Sequence, residues 1–122
     1  MNTRQTVNVA SRREWRNWLS KHYKSKDGIW LLFYRKSSGK VTIHYDEAVE
    51  EAIRFGWIDV QIRRIDDYSY VRRFAPRRQR SNWSNSNKHR ALRMLREGKM
   101  TEAGMSVLPP DVLCHRRSKV MI

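Results

Sequence analysis

The sequence predicts a single α+β domain, with a small antiparallel β-sheet of about three strands packed by about four α-helices. Three observations lead there. Residues 29–34 (Ile-Trp-Leu-Leu-Phe-Tyr) are apolar on both alternating faces, as in a central strand covered on two sides. Residues 58–63 (Ile-Asp-Val-Gln-Ile-Arg) alternate strictly, and after a turn the chain returns through an aromatic-rich run at 70–75, as in a hairpin. Around these strands lie four segments of helical periodicity that open at cap residues and close at Gly or Pro. With 122 residues, 39% of them apolar and five of them Trp, the chain is long enough to bury one core.

Residues 1–10 carry only a short Val7/Val9 alternation and read as a tail or an edge strand. Ser11 and Glu14 have capping-box spacing, and Trp15, Trp18, Leu19 and His22 follow as one stripe, so a helix is expected near 12–22. Asp27-Gly28 ends it, and the central strand occupies about 29–36. The turn Ser37-Ser38-Gly39-Lys40 lacks the Gly-rich pattern of a P-loop and is read as a turn only. A second helix near 46–56 places Tyr45, Ala48, Val49, Ala52 and Ile53 on one face. Asp46, Glu47, Glu50 and Glu51 gather in its front half, a solvated set that complements the helix dipole. Gly56 is its C-cap.

The hairpin then takes residues 57–65 and 70–75, with Asp66-Asp67-Tyr68-Ser69 as its turn. This pairing sets Arg63 or Arg64 across from Arg72 or Arg73, where like charges repel unless an anion sits between them. Pro76 stops the strand. Ser84 caps a helix near 84–97, with Ala91, Leu92 and Leu95 inward, and Thr101 opens a last helix near 101–108 that ends at Pro109-Pro110. The domain therefore spans 11–108, with 109–122 as a C-terminal tail outside it, disordered on one reading.

The formal charge is +14, from 26 Lys and Arg against 12 Asp and Glu. The interval 60–99 holds twelve Lys and Arg against three acids, a net +9. Such a field attracts nucleic acid, acidic proteins, anionic head groups or anionic small molecules. A solvated surface with no ligand accounts for the same numbers. Cys114 is the single cysteine, so no intramolecular disulfide forms, and with no signal-peptide pattern or membrane-length apolar run the expected location is the cytoplasm. The four His, at 22, 44, 89 and 115, show no metal spacing, so no metal and no cofactor is expected. No catalytic residue is assigned either. Asp59 beside Trp57 is a secondary candidate, a carboxylate whose pKa burial would raise, although a salt bridge to a neighbouring Arg is its expected use.

The densest basic stretch joins the hairpin to the third helix. Arg63, Arg72, Arg73, Arg77, Arg78 and Arg80 supply forks for phosphate or carboxylate, the helix start at Ser84 adds backbone N–H groups, and Asn82 and Trp83 stand between. Two uses of Trp83 stand side by side: a stacking face for a ligand, or a staple packed into the core.

Four runs, in order, carry a resemblance. They are Val49-Glu50-Glu51-Ala52-Ile53-Arg54-Phe55-Gly56-Trp57-Ile58-Asp59, Tyr70-Val71-Arg72-Arg73-Phe74-Ala75-Pro76-Arg77-Arg78, Ser81-Asn82-Trp83-Ser84 and Gly98-Lys99-Met100-Thr101-Glu102-Ala103-Gly104. Over about residues 11–108 the chain resembles the YdeI/OmpD-associated, or bacteriocin-protection, family. That family often has Gly where this chain has Val60, and continues as a charged helix where this chain has Pro109-Pro110. The resemblance implies a small cytoplasmic protein connected with tolerance of antimicrobial peptides, and it brings no catalytic residues. The expected function is thus a non-enzymatic binding protein with a basic face for an anionic partner. The alternatives are a nucleic-acid-binding module and a small enzyme that acts on an anionic substrate through Asp59.

Overall fold

A computed structural model describes residues 6–78 and 82–114. The elements are β1 (Thr6–Val7), α1 (Arg12–His22), β2 (Ile29–Tyr34), a 3-10 turn (Lys36–Ser38), α2 (Tyr45–Arg54), β3 (Trp57–Arg64), β4 (Ser69–Pro76), α3 (Asn85–Arg96) and α4 (Glu102–Met105). The α+β class, the hairpin and the four helices are as the sequence predicts. The sheet has four strands in the order β1-β2-β4-β3. β2 and β3 both pair antiparallel with β4, whereas β1 adds a short parallel edge to β2, so the sheet is mixed.

The caps follow the sequence closely. Ser11 Oγ accepts from the Glu14 N–H at 3.2 Å, and the Glu14 carboxylate accepts from the Ala10 N–H at 3.3 Å, one residue before the position a capping box would use. Ser84 Oγ accepts from the Asn87 N–H at 3.1 Å, and Thr101 Oγ1 from the Gly104 N–H at 3.1 Å. His44 caps α2, in a capping box completed by Glu47, which the sequence reading passed over. At the far end of the chain, 110–114 form a helical turn that buries Val112 in the core. Residues 115–122 lie outside the described residues.

One face of the sheet carries the core. Ile29, Leu31 and Phe33 of β2, Phe74 of β4 and Trp57 of β3 join Trp15 and Leu19 of α1, Val49 and Ile53 of α2 and Met94 of α3 in one buried cluster. Trp15 stacks on Trp18 with centroids 5.5 Å apart and meets the Phe74 ring at 5.3 Å, an arrangement whose loss in a Trp→Ala change costs about 3–5 kcal/mol. α4 packs so closely on the end of α2 that a Cβ on Gly104 would lie 2.8 Å from the Ile53 carbonyl oxygen. No larger residue fits there without moving backbone.

The acids of α2 are not all solvated, and this corrects the expectation for Glu51. It is fully buried and held by Arg12 Nη2 at 2.8 Å, Arg16 Nε at 2.8 Å and Arg54 Nε at 3.0 Å. Burial, the largest single influence, would raise its pKa. The hydrogen bonds from Arg16 and Arg12, with the charge of Arg54, outweigh burial and hold the carboxyl below its usual range. Glu50 pairs with Arg12 and Arg93, and Asp46 with Arg90.

The hairpin register also differs from expectation. A bulge between Asp59 and Gln61 takes Val60 out of the ladder. Arg63 therefore faces Val71 and Arg64 faces Tyr70, while Arg72 faces Ile62 and Arg73 faces Gln61. The arginine-on-arginine repulsion expected across the hairpin is removed. β3 is an edge strand that runs past the helices, so Val60 and Ile62 are each 53% exposed instead of half-buried.

Candidate anion-binding site

Strand alternation and register divide the sequence-derived candidates between the two sheet faces. On the helix-covered side, Trp57 is buried in the core, and Asp59 accepts from Tyr45 Oη at 3.2 Å and from Arg72 Nη1 at 3.4 Å. The Arg72 guanidinium lies 4.2 Å from the centroid of the Tyr45 ring. Burial pushes the Tyr45 phenol above its usual range, with the Asp59 charge adding to it and Arg72 opposing. Asp59 is thus the salt-bridge partner that the sequence offered as one of its two readings, in a closed Tyr-Asp-Arg group.

The opposite face carries no described helix. Trp30 and Leu32 of β2, Val71, Arg73 and Ala75 of β4, and Ile58, Gln61 and Arg63 of β3 share it; Trp30, Val71 and Ala75 are buried, Leu32, Arg73 and Ile58 half-buried, and Gln61 and Arg63 exposed. At the end where β4 finishes, this open face holds a concavity of about 540 Å³ lined by Asp27, Ile58, Val60, Arg73, Ala75, Pro76, Arg77 and Arg78. Its floor is apolar, and three arginines against one acid line it.

Each arginine is placed by a different local device. Arg73 lies against Gly28: a Cβ there would fall 2.6 Å from the guanidinium carbon, and Gly28 has φ +155°, a conformation that favours glycine. Its Nη2 reaches toward the Asp27 carbonyl at 3.5 Å, the limit of a hydrogen bond. Arg77 is 5% exposed. Its backbone N–H donates to Gly56 O at 2.7 Å, its Nη1 donates to Asn82 O at 3.0 Å, and its guanidinium stacks 3.7 Å from the Trp83 ring centroid. Burial lowers its pKa to about 10, with the Asp59 charge opposing, so it remains a cation at neutral pH. Arg78 is exposed.

Trp83 therefore serves the core and Arg77 together. It is half-buried, packs against the core cluster, and offers its ring to the guanidinium. Asn82 contributes its carbonyl. Arg63 stands exposed further along the open face, Arg72 is on the other face, and Arg80 lies outside the described residues. The structure brings Arg73, Arg77 and Arg78 together and sets Arg72 apart.

Charge is distributed with a pattern that composition hides. Arg12, Arg16, Arg54, Arg90 and Arg93 are paired with Asp46, Glu50 and Glu51 of α2. Among the described residues, Lys40, Arg63, Arg73 and Arg78 have no carboxylate within ion-pair distance. Exposed Lys21 and Lys24 and half-buried Lys26, around the end of α1, are equally unpaired, but they line neither this concavity nor the one described next.

A second concavity, of about 390 Å³, sits at the other end of the sheet. Tyr34, Ser37, Ser38, Lys40, Asp66, Tyr68 and Ser69 line it. None of these was a sequence-derived candidate, because Tyr34, Lys40 and Tyr68 come from a strand, a loop and a hairpin turn that only the fold unites. The signal that was available is Tyr34 itself, whose alternation with Phe33 puts it on the face away from the core.

Among the described residues no group of three or more His, Cys, Asp or Glu is placed to hold a metal ion, and no helix is long and apolar enough to cross a membrane. No curated protein and no solved structure matches the chain. A family model described as a domain of unknown function, DUF8412, matches residues 7–107, which takes in the chain from Val7 of β1 to α4, both concavities and the Arg77–Trp83 joint. The chain belongs to the DUF8412 family.

Proposed function

We propose that this chain is a non-enzymatic binding protein that holds an anionic ligand in the concavity of Arg73, Arg77 and Arg78. The carrying observation is that this concavity combines an apolar floor with arginines whose forks suit phosphate or carboxylate oxygens. Gly28, by admitting the Arg73 guanidinium, sets one of those forks in place before a ligand arrives. Asp59, the carboxylate a catalytic reading would use, is engaged by Tyr45 and Arg72, which favours binding over catalysis. The resemblance to the YdeI/OmpD-associated family supports the same reading. A cytoplasmic role in tolerance of antimicrobial peptides belongs to the proposal on that ground.

Calorimetric titration with inorganic tripolyphosphate tests it. Wild-type protein binds, and Arg73→Ala and Arg78→Ala each weaken binding by about 10-fold to 150-fold, the range for a charge-assisted hydrogen bond of about 1.5–3 kcal/mol. Arg90→Ala, whose guanidinium is paired with Asp46, leaves affinity unchanged. Absence of binding, or equal effects of all three substitutions, refutes the site.

A further inference from the structure

The second concavity is built for something more than charge. Tyr68 is 56% exposed and Tyr34 half-buried, so both rings are within reach of a ligand. Lys40 Nζ stands 4.8 Å from the centroid of Tyr34, with Ser37 and Ser38 beside it. The one acid of the lining, Asp66, is turned into its own loop, where it accepts from the Tyr68 N–H at 2.8 Å and from Ser69 Oγ at 2.9 Å. Ser38 Oγ likewise donates to the Arg35 carbonyl at 2.8 Å and accepts from the Lys40 N–H at 3.1 Å. Two rings, an ammonium with no carboxylate partner and the Ser37 hydroxyl in one hollow suit a ligand that is both planar and anionic. A nucleobase stacks on a Tyr ring, and its phosphate meets the Lys and the Ser37 hydroxyl.

The two concavities lie on a common path. Ser69, at one end of β4, lines the ring-bearing hollow, and Pro76, at the other, lines the arginine-bearing one. The strand between them spans roughly 25 Å at about 3.3 Å per residue. Exposed Arg63, opposite Val71, stands between the two on the same open face. Lys40, Arg63, Arg73 and Arg78 thus mark a row of cations with stacking rings at one end. A single nucleotide would use one hollow, whereas a chain of nucleotides uses the row. A duplex keeps its bases paired and stacked, away from the Tyr rings.

We infer that the open sheet face binds single-stranded nucleic acid, with bases stacked on Tyr34 and Tyr68 and phosphates on Lys40, Arg63, Arg73 and Arg78. This rests on the anion-binding reading of the Arg73 concavity, and adds the class of polyanion and a second set of contact residues. The turn at Lys40 acts by its side chains and is no nucleotide-cradling P-loop.

The test is fluorescence anisotropy with a labelled single-stranded oligonucleotide of about 12 nucleotides, within the usual site size. The blunt duplex of the same sequence and unlabelled tripolyphosphate serve as competitors. The single strand binds tighter than the duplex, and tripolyphosphate competes only weakly. Tyr68→Ala weakens single-strand binding by about 5-fold to 150-fold, the range for one stacked base, and leaves tripolyphosphate binding unchanged. Tyr68 is exposed, so this variant folds; Tyr34→Phe, which keeps the ring, retains affinity. The logarithm of affinity falls with the logarithm of salt with a slope near −3, about −0.7 for each of four phosphate contacts, and Lys40→Ala makes it shallower by about 0.7. Duplex preference, or unchanged single-strand affinity in Tyr68→Ala, overturns the inference. Tripolyphosphate binding that depends on Arg73 and Arg78 would still stand in that case, whereas loss of binding to both ligands would end both readings.

Discussion

Glu51→Gln is the substitution most informative about the fold, because the structure makes one carboxylate the meeting point of three arginines. Glu51 has no exposed side-chain surface, whereas Arg12, Arg16 and Arg54 keep 31%, 39% and 16% of theirs. Removing one partner of a buried ion pair costs about 3–5 kcal/mol, mostly for the charge left behind. Here Arg12 and Arg16 can turn to water, so the expected loss is at the low end, about 3 kcal/mol. For a chain of this size that corresponds to roughly 10 °C in Tm. Urea unfolding followed by Trp fluorescence measures it directly, since Trp15 lies on α1 and donates its Nε1–H to the Ala48 carbonyl of α2 at 3.0 Å. The pH dependence carries a second signature. The folded-state pKa of Glu51 lies below its unfolded value, so its contribution is fully present above the unfolded pKa and disappears as pH falls through the folded one. The wild type therefore loses stability relative to Glu51→Gln in acid, below about pH 4.3. A loss under about 1 kcal/mol at neutral pH, or parallel acid limbs in the two proteins, refutes the assignment of Glu51 as the α1–α2 anchor.

Two further outcomes follow from the geometry. Ser84→Ala removes the hydroxyl that accepts the Asn87 N–H and lowers stability by about 1 kcal/mol in the same urea experiment, with tripolyphosphate binding retained. Gly28→Ala costs about 1–3 kcal/mol for the backbone conformation and displaces the Arg73 guanidinium, so the calorimetric affinity for tripolyphosphate falls toward that of Arg73→Ala; unchanged affinity shows that Arg73 needs no such placement.

What the sequence discloses is local, and what it conceals is made by contacts between distant segments. The caps at Ser11, Ser84 and Thr101 were legible because a cap is completed within three residues. β2 was legible from its unbroken apolar run, β3 from its alternation and β4 from its aromatic-rich return after the turn. Glu51 was misread because nothing in the stretch Val49-Glu50-Glu51-Ala52 distinguishes it from Glu50, and its burial is created by arginines 35 and 39 residues earlier. The register of β3 on β4 turned on one bulged residue, Val60, which leaves no mark on an alternating pattern. Arg73 was named from its charge, but its partner Gly28 sits 45 residues away and read only as a helix end. The Tyr34, Lys40 and Tyr68 hollow is assembled from three segments, each read for its own strand or turn, with nothing in any one of them to show that they meet.

The unneutralised cations of the open face do not demand a ligand by their own repulsion, as magnitudes show. Two unit charges about 10 Å apart in water repel by only about 0.4 kcal/mol, and salt at physiological strength, with a screening length near 8 Å, reduces that further. Four such side chains on a solvated face therefore cost the folded state about 1 kcal/mol or less, a load that a domain of this size carries without any partner. A net charge of +14 is compatible with a bare surface. What separates Arg73 and Arg78 from an exposed cation such as Lys21 is shape: an apolar-floored hollow in which ligand oxygens leave water, and a glycine that fixes one guanidinium in place. Desolvation strengthens each charge-assisted contact made there, whereas the same contact on α1 would be worth almost nothing. Function on this protein is therefore to be sought where the chain has shaped the space around its charge, at the two ends of the open sheet face, and not in the total of its lysines and arginines.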